Sequence, residues 1–179
     1  MKTKKIALYG ILGAMALVLS FLESALLPVI PFLPAGAKPG LSNIVTMFTA
    51  DYSGFFGAFY ITAIKALFAF LTRGATAGMM SLAGGMLSMV AMCALLRMKN
   101  CPFSYAGIGI ICALMHNMGQ LAVACAVTGT FAVAGYAPVL LLFSLLTGLV
   151  TGTILQATLP AVKKAVGDFQ KSTDKGLNE

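Results

Sequence analysis

The stretch KPGLSNIVTMFTADYSGFFGAFYITAIKALFAFLTRG, Lys38–Gly74, decides the fold, because it holds either one long membrane helix or two segments joined by a turn. Its first apolar part, Gly40–Ala50, covers about 17 Å at about 1.5 Å per residue, short of a hydrocarbon core about 30 Å thick. Asp51–Ser53 interrupt the pattern, and a second apolar part runs over Gly54–Leu71. The short part reads as a tilted helix shielded by its neighbours or as the arm of a re-entrant hairpin.

The rest of the chain sets that reading in a membrane. Of 179 residues, 59% are hydrophobic and 9% are charged, and the mean hydropathy is +0.94. A soluble domain carries about 25% charged residues. One small globule cannot hide so much apolar side chain from water; a lipid solvent removes the difficulty. At about 20 residues per crossing, about five or six crossings fit. Besides the two parts above, apolar segments lie at Ile6–Ile30, Ala75–Leu96, Phe103–Val127 and Pro138–Val162. Breakers separate them: Pro31, Pro34, Pro39 and Gly40, then Thr72–Gly74, Arg97–Pro102 and Gly135–Pro138. Lys2, Lys4 and Lys5 precede the first segment as in a signal peptide, but that segment is longer than a signal's apolar region and reads as a membrane helix.

Charge distribution selects six crossings. Lys and Arg accumulate in cytoplasmic loops. Six crossings put both termini in the cytoplasm with Lys2, Lys4, Lys5, Lys163, Lys164, Lys171 and Lys175, and the Arg97/Lys99 loop with them. Only Lys38 and Arg73 then face outward. The expected architecture is an all-α, multi-pass protein of the cell membrane: one transmembrane domain over residues 1–165 and a polar cytoplasmic tail over 166–179.

Small residues recur along the helices: Gly10 and Ala14 on the first, Ala77, Gly78, Ser81, Gly84, Gly85 and Ser88 on the fourth, Gly148 and Gly152 on the sixth. Such residues let backbones approach closely in lipid, either inside the bundle or against a partner. Cys93, Cys101, Cys112 and Cys125 show no paired metal-type spacing and read as small apolar side chains.

Ionisable and amide side chains inside a bilayer are costly, and each is a candidate site residue. Glu23, Lys38, Asn43, Lys65, Arg73, His116, Asn117 and Gln120 all fall in the outward half of this topology. That shared depth points to one polar cavity open to the outside. Its cations outnumber Glu23, which suits an anionic or phosphorylated ligand, with Asn and Gln as orienting donors. The bland alternatives are a snorkelling Lys65, a loop charge at Arg73, a neutralising role for Glu23, and interhelical hydrogen bonding by His116, Asn117 and Gln120.

Several functions are disfavoured. There is no GxxxxGK[ST] phosphate loop, and no acidic cluster to hold magnesium on a diphosphate. The single His has no acid near it in sequence, so no catalytic triad can be drawn. No metal or other cofactor is expected, nucleic-acid signatures are absent, and the chain is not expected to be an enzyme.

Three stretches carry a resemblance: Lys38-Pro-Gly-Leu-Ser-Asn-Ile-Val-Thr46, Ser81-Leu-Ala-Gly-Gly-Met-Leu-Ser-Met89 and His116-Asn-Met-Gly-Gln120. In this order and spacing they resemble the membrane family called heptaprenyl diphosphate synthase component I, or the Gx transporter family, from about Ile6 to Ala165. That family looks related to the substrate-binding S components of energy-coupling factor (ECF) transporters. The resemblance implies a six-helix bundle that captures a vitamin-like solute from outside. It also implies partners, a membrane coupling subunit and two cytoplasmic ATPases, engaged through the first helix at Gly10 and Ala14. The alanine-rich pattern usual on that helix is not present here. Links of the family to quinones and flavins leave isoprenoid, quinone-precursor and flavin solutes open. The ligand is expected to enter past Lys38 and Arg73 and to meet Lys65, Asn43, Asn117 and Gln120, with Ile30–Gly40 as a lid hinged at Gly36 and Gly40. The rival expectations are a non-catalytic scaffold for a prenyl synthase or redox enzyme, and a membrane enzyme using His116 as acid or base.

Overall fold

The computed structural model describes residues 2–26, 40–98 and 101–175, and they are almost wholly helical. The helices are α1 (Lys2–Leu26), α2 (Leu41–Arg73), α3 (Ala75–Arg97), α4 (Tyr105–Thr128) and α5 (Ala137–Lys175), with a short 3-10 helix, Phe131–Tyr136, leading into α5. Among the described residues, five helices are long and apolar enough to cross a membrane. The chain is therefore a multi-pass membrane protein, because a bilayer demands that each spanning segment satisfy its own backbone hydrogen bonds.

α2 is not one rod. Gly54 sits at φ 73°, ψ −160°, a conformation essentially confined to glycine. There the chain turns back. Lys65 Nζ lies 2.7 Å from Asn43 Oδ1, whereas 22 residues of straight helix would separate the two by about 33 Å. The result is a helical hairpin with a first arm over 41–53 and a second over 55–73. The turn follows the Asp51–Ser53 break read from the sequence, and the short segment is one arm of the hairpin. Val45, Thr46, Met47, Phe48, Thr49 and Ala50 are buried without a break, so the first arm is enclosed on every side. It needs no lipid-facing surface, and about 20 Å of helix suffices.

The other helices stack in chain order around it: α1 on α2, α2 on α3, α3 on α4 and α4 on α5, with α2 also reaching α5. Glycine makes the α4–α5 contact close. A Cβ on Gly109 would collide with the backbone of Gly148 and Gly152, so the GxxxG pair is spent inside the bundle. Gly85 faces Thr62 on the second arm, and Gly119 faces Ala83 and Gly84. On α1, by contrast, Gly10 and Ala14 are exposed, and a Cβ on Gly10 would meet nothing within 4 Å.

The N-terminal part of α1 and the C-terminal part of α5 lie at the Gly54 end of the bundle. Tyr9 packs against Gly57 and Tyr60 just after the turn, and Lys163 of α5 pairs with Asp51 just before it at 2.6 Å. α5 stays helical to Lys175 and passes Pro160, so the polar residues from 166 to 175 continue the helix. Leu155, Leu159 and Val166 are buried and Val162 packs beside them. That i, i+4, i+7, i+11 stripe holds the helix to its neighbours beyond the apolar segment.

Candidate functional site

The start of any helix leaves backbone N–H donors without partners and carries the positive end of the helix dipole. In the first arm of α2 this start lies inside the bundle. Gly40, at φ 81°, begins the arm and offers no side-chain cap. The cap comes from another helix. Glu23 of α1, 1% exposed, accepts from Ser42 N at 3.3 Å and from Ser42 Oγ at 3.0 Å.

Lys65 of the second arm lies beside it, 7% exposed. Its ammonium donates to Asn43 Oδ1 at 2.7 Å and to Thr46 Oγ1 at 3.4 Å. Glu23 acts electrostatically on both Lys65 and Arg73. Arg73 stands two turns further along the second arm, and its buried Nη2 has no hydrogen-bond partner among the described residues. α4 adds His116 and Gln120, one turn apart, with their Nε2 atoms 3.0 Å from each other. Gly84 of α3 permits that approach: a Cβ there would lie 2.6 Å from the His116 carbonyl oxygen and 3.0 Å from Gln120 Cγ.

Ser20 and Ser81 complete a cavity of about 20 Å³ among Glu23, Ser42, Asn43, Lys65, His116 and Gln120. That is room for about one water molecule. A second cavity of about 20 Å³ shares Gly40, Asn43 and His116 and extends to Asn117, Thr147 and Thr151. Gln120 also borders an apolar groove of about 140 Å³ with Leu121, Tyr136 and Leu140. A wider apolar hollow of about 600 Å³ opens between α4 and the 3-10 helix, at Met118, Leu121, Cys125 and Phe131.

The structure thus brings together Glu23, Asn43, Lys65, His116 and Gln120, while Arg73 lies outside the cavity they line. The cluster sits near the middle of the second arm and of α4, deeper than the mouth anticipated from the sequence. Asn117 is turned elsewhere. Its Nδ2 donates to Ser144 Oγ of α5 at 2.8 Å, because neighbouring helix residues point about 100° apart. It lines the second cavity and takes no part in the Lys65 contacts. Lys38, Gly36 and all of the expected lid except Gly40 lie outside the described residues.

Sequence reasoning missed Ser42, whose position at a segment start gave only a weak capping signal, and Thr46. It also missed a second polar group at the Gly54 end. There Asp51, taken only as a segment breaker, accepts from Tyr105 Oη at 2.8 Å and pairs with Lys163. Among the described residues no group of His, Cys, Asp and Glu is arranged to hold a metal. Cys93 and Cys112 are buried, and all four cysteines are free thiols.

Comparisons with curated proteins and with solved structures return no match. The family model of heptaprenyl diphosphate synthase component I matches residues 12–158. The family's description as a component implies a system of several subunits. With most of its length matched, including every described residue of the polar cluster, the chain belongs to the heptaprenyl diphosphate synthase component I family.

Proposed function

We propose that this chain is the solute-capturing subunit of an uptake system in the cell membrane, similar in role to an ECF S component, and that it takes a small anionic or amphipathic solute from outside. The observation that carries the reading is the buried cluster of Lys65, Glu23, Asn43, His116 and Gln120 around the interior start of a half-length helix. A charge at the centre of a bilayer costs about 2.5–3.5 kcal/mol or more. In a chain with only 9% charged residues, two such charges at one level call for a use. Interrupted helices whose positive ends face an anionic group near mid-membrane are a recurrent transporter device.

In this reading six segments, the short first arm among them, run with both termini in the cytoplasm, consistent with Arg97, Lys163 and Lys164 at the Gly54 end. The chain does no catalysis of its own. A coupling subunit docks on the exposed Gly10/Ala14 face of α1, and cytoplasmic ATPases supply the energy. The apolar groove beside Gln120 suits the apolar portion of a vitamin, isoprenoid, quinone-precursor or flavin-like solute. With about 20 Å³ at the polar cluster, taking up a solute requires the helices around it to part.

Mass spectrometry of small molecules extracted from the purified chain identifies the solute. Lys65→Met and Gln120→Ala are then expected to weaken its binding at least about tenfold, which is about 1.4 kcal/mol. Unchanged affinity in both variants defeats the assignment.

The small volume at the polar cluster and the family's name favour a second reading, in which the polar cluster only locks helices together and the chain anchors a prenyl synthase at the membrane. Pull-down of a synthase with no extractable solute would support it.

A further inference from the structure

We infer that Glu23 stands where the solute's acidic group will stand, as a resident anion that the solute displaces. The inference rests on the solute-capture reading of the same site. The Glu23 carboxylate makes the contacts that a bound oxyanion would make at a helix start, one to a backbone N–H and one to the adjacent hydroxyl, both on Ser42. A helix of this kind usually takes its cap from its own Ser, Thr, Asp or Asn. Here the capping position is Gly40, without a side chain, so the donors are left for an anion brought from elsewhere.

Two further observations separate Glu23 from a simple ion-pair partner. Lys65 bonds the neutral side chains of Asn43 and Thr46, which leaves its charge available to a second anion. Arg73 has a buried guanidinium nitrogen without a hydrogen-bond partner among the described residues. Both cations feel the Glu23 charge, and the cavity beside it is lined by Lys65. That cavity has space for only about one water, so a solute oxyanion and the Glu23 carboxylate cannot share it. Exchange requires α1 to move. Among the described residues α1 packs on α2 and α5 and exposes Ile11, Met15, Val18 and Leu22 along its other side, which leaves that side open to the shift.

The test uses the full chain in detergent micelles, with pyrophosphate and acetate as probes. Glu23→Gln keeps the shape of the side chain and removes its charge. It is expected to bind one of the two probes at least about tenfold more tightly than the wild type in calorimetry, the size of a charged hydrogen-bonding competitor removed. Equal or weaker affinity for both overturns the inference. Glu23→Ala leaves a vacancy the size of a carboxylate. Acetate or pyrophosphate is expected to raise its melting temperature saturably, relative to chloride at matched ionic strength, and by more than it raises that of the wild type. No rise in this variant likewise overturns the inference. The more effective probe tells a carboxylate-headed from a phosphate-headed solute. Lys65→Met separates the two levels of argument. If it abolishes wild-type binding while Glu23→Gln adds nothing, the capture site stands and displacement fails. If the gain in Glu23→Gln survives Lys65→Met, the anion binds elsewhere and both readings fall.

Discussion

At the scale of single residues, the legible signals were those that lipid makes expensive. Glu23, Lys65, His116 and Gln120 could be marked as a set because each is rare in so apolar a chain, and the structure gathers them. Ser42 could not be marked, since a serine at the start of a helix is ordinary and its partner lies 19 residues away in sequence. Asn117 was grouped with His116 and Gln120 for its depth and its spacing of three from Gln120, yet its amide turns to Ser144 of α5. Gly54 offers a test at this scale. A Cβ would find open space there, yet φ 73° and ψ −160° exclude an L side chain. Gly54→Ala is expected to cost about 1–3 kcal/mol, read as a lowered melting temperature in detergent. Gly10→Ala, in an exposed helical position with equal room, is expected to be neutral or to stabilise by up to about 1 kcal/mol.

At the scale of elements, apolar length and punctuation located the helices, and the short segment was recognisable because it could not reach across a bilayer. Its place at the centre was not recognisable. A run buried on all faces and a run exposed to lipid on all faces are both apolar throughout, so composition does not tell them apart. The reach of α5 was underestimated for a related reason: hydropathy falls after Val162 while the inward stripe continues to Val166. The α4–α5 seam depends on glycine at Gly109, Gly148 and Gly152. Gly109→Val forces the backbones apart and is expected to destabilise by about 3 kcal/mol, with Lys65 contacts kept if the damage stays at the seam. Thermal melts and probe binding on the same protein check both halves. At the far end of the first arm, Asp51→Asn removes the ion pair with Lys163 and weakens the bond from Tyr105. A loss of about 1–2 kcal/mol in melts is expected, without a change in intrinsic anion affinity.

At the scale of the whole molecule, the surface is apolar around its girth, with Ile6, Phe56, Leu71, Leu142 and Leu146 all well exposed. Most of that surface has a lipid to meet. The α1 face differs in exposing two small residues one turn apart, Gly10 and Ala14. Under the proposed coupling role, Gly10→Leu is expected to leave folding and solute binding intact and to abolish cellular uptake. Uptake at the wild-type rate would remove α1 from the coupling scheme. Which solute and which partner are involved was beyond the sequence, because both depend on shapes assembled from distant segments.

The enclosed first arm has a consequence for biosynthesis. A ribosome delivers 41–53 before α3, α4 and α5 exist, and the arm is too short to hold a place in the bilayer by itself. Ser42, Asn43 and Asp51 would then face acyl chains or headgroups until the later helices arrive. The hairpin must therefore wait at the insertion machinery or the interface and be drawn inward as α4 and α5 close over it. Nascent chains arrested after Arg97 should show this segment open to protease, and full-length chains should show it sealed.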